Sequence, residues 1–175
     1  ASDTAEIVFE DVHVPAANLL GKEGEGFKFA METFDRTRVG IGAAGVGVAR
    51  AAMEAAIKFA KERKQFAQPI ANFQGVQFML ADMAIKIETA RLSIYYAAWL
   101  TDEKLPYSYA SAIAKTYGSD VAMQVTTDAV QLLGGYGYMA DYKVEKYMRD
   151  AKLLQIYEGT NQIQRVVIAK ALLKD

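Results

Sequence analysis

Acid–base chemistry in this chain of 175 residues must come from Asp, Glu, Lys or Tyr, because it holds no cysteine and a single histidine. Without cysteine there are no disulfides, zinc–thiolate sites or thiol nucleophiles. His13 sits two positions before Pro15 in a short extended segment, where a solvated strand residue is expected rather than a member of a Ser-His-Asp triad. The carboxylate in the least ordinary setting is Glu158, in Ile156-Tyr157-Glu158-Gly159-Thr160-Asn161. It follows the apolar Leu153, Leu154 and Ile156 and stands just before a helix start, and Gly159 removes a side chain where a substrate could lie. An exposed Glu in a turn would carry the same local pattern.

Other constellations admit two uses each. Asp35-x-x-Arg38 is either a solvated surface pair of little worth or an arginine offered to a nucleotide phosphate. In Glu62-Arg63-Lys64-Gln65-Phe66, two cations stand at a helix C-terminus, where they complement the helix dipole. Arg63 also has the fork geometry for a pyrophosphate. Gln131-Leu132-Leu133-Gly134-Gly135-Tyr136-Gly137-Tyr138 carries three glycines where a helix cap needs one, so its backbone can approach an anion or a planar ring. Gly40-x-Gly42-x-x-Gly45 matches a dinucleotide fingerprint only as a string. The stretch before it reads as helix, not strand, which leaves a small-residue patch for close approach of a helix or ligand. No metal-ligating cluster is expected.

The elements that must position these residues are mostly helical. Ile7, Phe9, Val12 and Val14 alternate with polar residues, with a slip at Glu10-Asp11 that suits a turn or bulge. One strand is not stable alone, so residues 1–21 are expected to be the end of a preceding β domain and a linker. Residues 22–175 are expected to form a helical domain. A helix is expected from about Phe27 to Arg63, broken by Gln68-Pro69. In the next, Phe73, Val76, Leu80, Met83, Ile87, Ala90 and Ile94 step by three and four, the seam of a helix packed nearly parallel to its neighbours. A third runs from near Tyr107, capped by Ser108 or Ser111, to Leu133, and a fourth over about Val144 to Ile156. A fifth follows Gly159, with Asn161 and Gln164 at capping-box spacing. Long helices joined by short breaks predict an all-α fold, an antiparallel up-down four-helix bundle with an extra C-terminal helix. Helices of this length should leave apolar faces for other subunits or domains.

Composition excludes some classes. Apolar residues make up 52 % and charged residues 23 %, enough for a core and against disorder. A net charge of −1 gives no basic field for nucleic acid. No apolar run approaching the ~20 residues of a membrane span is visible.

Together these strings resemble one family. Met148-Arg149-Asp150-Ala151-Lys152 followed by Ile156 to Arg165 is similar to the C-terminal signature of acyl-CoA dehydrogenases. Phe34-Asp35-x-Thr37-Arg38, Glu62-Arg63-Lys64-x-Phe66, Phe78 to Met83 and Gln131-x-x-Gly134-Gly135 fall in the family's order, so the likeness covers essentially the whole chain. The resemblance implies oxidation of a fatty acyl-CoA to a trans-2-enoyl-CoA with FAD as hydride acceptor, and an electron-transfer flavoprotein as the next acceptor. It implies Glu158 as the catalytic base, and Asp35, Thr37, Arg38 and Gly159 at the substrate. Arg63, Phe66, Gln74, Gln131, Gly134, Gly135, Thr160 and Gln162 match flavin contacts, several of them made to a neighbouring subunit's cofactor. Some relatives carry their base at the position of Thr37; threonine cannot serve, which points to Glu158 and to the short- or medium-chain branch.

Gln65, Ala67 and Phe73 depart from residues common in the family, often Thr, Gly and His, and put individual flavin hydrogen bonds in doubt. A homodimer or tetramer is expected, in bacterial cytoplasm or mitochondrial matrix. Two other readings fit: a non-catalytic helical oligomerisation module, and an acyl-CoA oxidase of the same fold.

Overall fold

A computed structural model describes residues 3–174; residues 1–2 and 175, the outer ends of the two expected segments, lie outside it. Five helices dominate: α1 Gly26–Glu62, α2 Gln74–Asp102, α3 Ser108–Leu133, α4 Val144–Leu154 and α5 Asn161–Leu172. The long-range contacts fix their directions. Ser111 Oγ donates to the Asp35 carbonyl near the start of α1 and α3, and Phe59 meets Tyr136 just beyond the end of α3, so these two helices run the same way. Lys86 in the first half of α2 pairs with Asp128 near the end of α3, while Ile94 further along α2 lies against Gly42 in the first half of α1, so α2 runs against both. Gln155, at the end of α4, bonds back to Asp120, and α4 therefore returns. This is the expected up-down-up-down bundle, with α5 added across one end.

The α2 seam is buried as its spacing predicts: Met83, Ile87, Ala90 and Ile94 are core residues, continued by Ala97 and Leu100. Where α1 crosses α3 the backbones touch. A Cβ on Gly42 would lie 2.7 Å from the Ala114 carbonyl oxygen, and one on Gly45 would lie 2.6 Å from that of Gly118. The small-residue patch is thus partly consumed inside the bundle, while Gly40, Ala43, Ala44 and Gly47 face outward. By length and composition α1 can cross a membrane, contrary to expectation, and it alone among the described residues. Its apolar character has a local use, because Gly42, Gly45, Ala49, Ala52, Ala56 and Ala60 are buried in the bundle.

The opening segment forms no strand among the described residues, which offer it no partner: Ile7, Phe9, Val12 and Val14 stand exposed. Its irregularity is real, for Asp11 turns to a φ of 48°. A two-stranded antiparallel hairpin, β1 Lys64–Gln65 and β2 Gln68–Pro69, fills the break after α1, where no strand was expected. Its turn residues Phe66 and Ala67 have φ of 50° and 63°, the type I′ pattern normally given to Asn-Gly, so the sequence carried no turn signal. Neither Ser108 nor Ser111 caps α3; Ser111 is buried and bonded to α1. The cap of α5 is Thr160, which accepts from the Ile163 N–H, because Asn161 and Gln164 point inward instead.

Candidate active site

Glu158 sits in the link between α4 and α5 in a conformation that side-chain-bearing residues seldom adopt. Its φ is 53° and that of Gly159 is 89°. Two successive left-handed residues persist only where surroundings over-determine them, and here they do. The Glu158 carbonyl accepts from Arg38 Nε and from Gln164 Nε2, both at 3.3 Å. That of Gly159 accepts from Lys115 Nζ at 2.9 Å and from Gln164 Nε2 at 3.2 Å. Three helices therefore hold one turn. Gly159 is required there twice over, since a Cβ would stand 2.6 Å from Gln164 Nε2.

With both carbonyls drawn inward, trans peptide geometry directs the N–H groups of Gly159 and Thr160 the other way. The Glu158 N–H makes no hydrogen bond among the described residues. The Glu158 carboxylate takes a 2.7 Å hydrogen bond from the Thr37 hydroxyl. The next residue on α1, the buried Arg38, pairs its guanidinium closely with Asp35, one turn back. Asp35, Thr37, Arg38, Glu158 and Gly159, far apart in sequence, thus form one cluster. The surface-pair reading of Asp35 and Arg38 fails, because Arg38 is only 5 % exposed.

Behind the turn lies a polar network that sequence reasoning missed. Lys115 is fully buried, and Nζ also donates to Asn161 Oδ1 at 2.7 Å. Burial pushes its ammonium down to about 8; Arg38 adds to that, while Asp120 and Glu158 work against it. Asn161 Nδ2 donates to Ser119 Oγ and to Asp120, which also receives Gln155 and Arg165. The signal was a lone Lys in the small, apolar run Ala110-Ser111-Ala112-Ile113-Ala114. Thr160 and Gln162 line an open cleft of about 540 Å³ together with Lys152, Arg165, Asp120 and Gln155. Arg165 is paired with Asp120 there, so Lys152 and the start of α5 are what the cleft offers an anion.

The remaining flavin-matched residues are elsewhere. From Arg38 to Arg63 is 25 steps along α1, about 38 Å at ~1.5 Å per residue. At that far end Arg63 lies 5.5 Å from the Tyr136 ring centroid, and Tyr136 packs on Phe59 and Tyr142. Phe66 is 88 % exposed on the hairpin turn, at 6.1 Å from Phe73. Gln74 is the exposed first residue of α2, and Gln131 is exposed near the end of α3. Of the three glycines, Gly137 is explained by packing, its Cβ position lying 2.6 Å from the Val130 carbonyl oxygen. Gly134, at φ 61° and ψ −136°, is the C-cap of α3. A Cβ on Gly135 would meet nothing within 4 Å, so packing gives it no reason to be glycine.

A long-helix bundle with a carboxylate braced beside a buried arginine is the architecture of a recognisable class, and the sequence agrees. The chain belongs to the acyl-CoA dehydrogenase family, whose C-terminal domain it matches over residues 24–173. It is 55 % identical over 174 residues to a probable acyl-CoA dehydrogenase, fadE25, of Mycobacterium bovis, covering 99 % of this chain and 45 % of that protein. Butyryl-CoA dehydrogenase from Megasphaera elsdenii superposes with a TM-score of 0.93 at 52 % identity, over 95 % of this chain and 44 % of that one. A chain in a structure of the electron transferring flavoprotein of Acidaminococcus fermentans does so with a TM-score of 0.94 at 60 % identity, over 96 % and 44 %. The chain thus spans a little under half the length of the relatives it matches. Members of the family are flavoproteins.

Proposed function

We propose that this chain supplies the base-bearing part of the active site of an FAD-dependent acyl-CoA dehydrogenase acting on short straight-chain acyl thioesters. The observation that carries the proposal is the Glu158 turn: a carboxylate held by Thr37 beside a backbone N–H that makes no hydrogen bond among the described residues. The N–H of Glu158 donates to the thioester carbonyl oxygen and polarises it, which acidifies the Cα proton. The Glu158 carboxylate then removes that proton. Arg38 and Gln164 keep the carbonyl of the same residue turned away, so one backbone conformation serves both tasks. Asp35 and Arg38 shape the substrate side. Thr37 orients the base and has no useful acidity of its own. FAD, when bound, supplies the acceptor for the Cβ hydride.

Two patches fit the flavin. Thr160 and Gln162 would hold it in the cleft beside Glu158, while Arg63, Phe66, Gln74, Gln131, Gly134 and Gly135 would hold it at the far end. About 38 Å is further than one dinucleotide spans, so these patches serve different flavins. Each flavin is then shared between two copies of the chain, in a dimer or tetramer. Exposed Phe78, Ile85, Leu92, Tyr95, Tyr96 and Trp99 on α2 give such an assembly an apolar face. The short-chain assignment draws on the name of the Megasphaera elsdenii relative. An electron-transfer flavoprotein as acceptor draws on the Acidaminococcus fermentans structure. In a full-length, flavin-loaded protein, Glu158→Gln should keep thioester binding and lose flavin reduction by about 10²–10⁴-fold or more. Anaerobic stopped flow reads this, and near wild-type reduction overturns the assignment.

A further inference from the structure

A fully buried lysine is costly. Taking an ammonium out of water costs several kcal/mol unless its surroundings replace hydration, and an apolar side chain of similar length would fill the same space. Lys115 nevertheless lies at 0 % exposure in the middle of α3. Among the described residues it has no carboxylate in direct contact. Asp120 is one helical turn and a residue further on, and it is engaged by Asn161, Gln155 and Arg165. The two groups that Lys115 does hold are neutral: the Gly159 carbonyl at 2.9 Å and Asn161 Oδ1 at 2.7 Å. Both belong to the segment that sets the direction of Glu158. One is the carbonyl of the second left-handed residue; the other is the first residue of α5.

We propose that Lys115 is the positioning residue of the Glu158–Gly159 turn: by tying the Gly159 carbonyl to Asn161 from behind, its ammonium group holds both left-handed residues in place and so aims the carboxylate and the N–H of Glu158. The proposal rests on Glu158 being the base. Arg38 and Gln164 share the load at the Glu158 carbonyl, but among the described residues only Lys115 reaches from α3 to the Gly159 carbonyl. Asn161 transmits the hold, because its amide also bonds Ser119 and Asp120 and fixes the start of α5 to α3. Loss of the ammonium charge weakens this grip. The charged groups that act on it are Arg38 on α1, Asp120 on α3 and Glu158 in the turn itself; Asp35 and Arg165 stand one step behind, paired with Arg38 and Asp120. Burial brings the Lys115 ammonium down to about 8, within reach of an ordinary pH series.

Lys115→Met and Glu158→Gln are compared with wild type in the full-length, flavin-loaded protein. Lys115→Met should keep its flavin and bind a thioester within about threefold. Its flavin-reduction rate should fall about 10- to 100-fold, the scale of a misplaced catalytic group. Wild type should lose rate as pH rises through about 8, and Lys115→Met should lack that inflection. A flavin-loaded Lys115→Met with wild-type rate and pH profile overturns the positioning role while leaving Glu158 as base. Near wild-type reduction by Glu158→Gln overturns the base itself. A second measurement reads the turn directly: amide hydrogen exchange of residues 155–162, referenced to α2, in wild type, in Lys115→Met and, where that variant fails to fold, in Lys115→Gln. Protection in this segment should fall about tenfold in the variant once the ties to the Gly159 carbonyl and Asn161 are lost; a ratio to α2 equal to that of wild type refutes the proposal.

Discussion

The two ends of α1 handle their polar groups in opposite ways. Around Glu158, three helices spend Arg38, Lys115, Asn161 and Gln164 on one another and on two carbonyls. About 38 Å away, the Arg63 side chain has a tyrosine ring as its only partner among the described residues, Phe66 stands in solvent and a side chain at Gly135 would meet open space. Strain follows a similar division. The left-handed Glu158 is braced from three helices; the left-handed Phe66 and Ala67 sit on a two-stranded hairpin at the rim. The first end is organised by its own chain, which is what the proposed proton transfer at Glu158 requires, because reacting groups need a preset geometry. The second end is built for contact with something outside the chain, and its residues cost the isolated fold little.

That contrast can be broken at several points. Arg38→Ala removes the guanidinium from Asp35 and from the Glu158 carbonyl, and should lower stability by about 2–3 kcal/mol. Urea unfolding reads the loss; a variant as stable as wild type shows that the Glu158 end is not internally braced. Lys115 gives the contrast a pH signature. Its ammonium is depressed from 10.5 to about 8, so between those values the unfolded chain holds more proton than the folded one. The burial penalty is thus fully present below about pH 8 and is relieved as pH rises towards 10.5. The stability of wild type relative to Lys115→Met should therefore improve across that window, and a pH-independent difference would contradict the burial of a charged lysine.

Smaller effects are expected at the rim. Ala67→Gly relieves a left-handed residue and should raise stability by about 1 kcal/mol, measured as an upward shift in Tm. A lower Tm would place the strain elsewhere. Arg63→Ala should change stability by less than about 0.5 kcal/mol, yet reduce flavin retained by the full-length protein through gel filtration. Equal flavin content in variant and wild type would remove Arg63 from the cofactor site. A large loss of stability would show that its stacking on Tyr136 supports the fold.

The sequence by itself determined whatever repeats over a few residues. The three-and-four spacing from Phe73 to Ile94 gave α2 its buried face, Gly134 marked the end of α3, and Gly159 marked the break before α5. Short strings around Glu158, Arg63 and Gly134 identified the family and with it the candidate residues. Tertiary structure decided which of these meet. Nothing local says that Thr37 lies 2.7 Å from a carboxylate 121 positions on, that Lys115 supports Gly159, or that Asn161 and Gln164 turn inward and leave the cap to Thr160. The hairpin at Lys64–Pro69 was also hidden, since Phe66-Ala67 lacks the residues that ordinarily signal its turn. Periodicity and helix caps report energies within a few residues along the chain. A buried hydrogen-bond network has no sequence period, because its members are chosen by the helix crossing at Gly42, Gly45 and Gly118, where the absence of side chains lets α1 and α3 come close enough to share it.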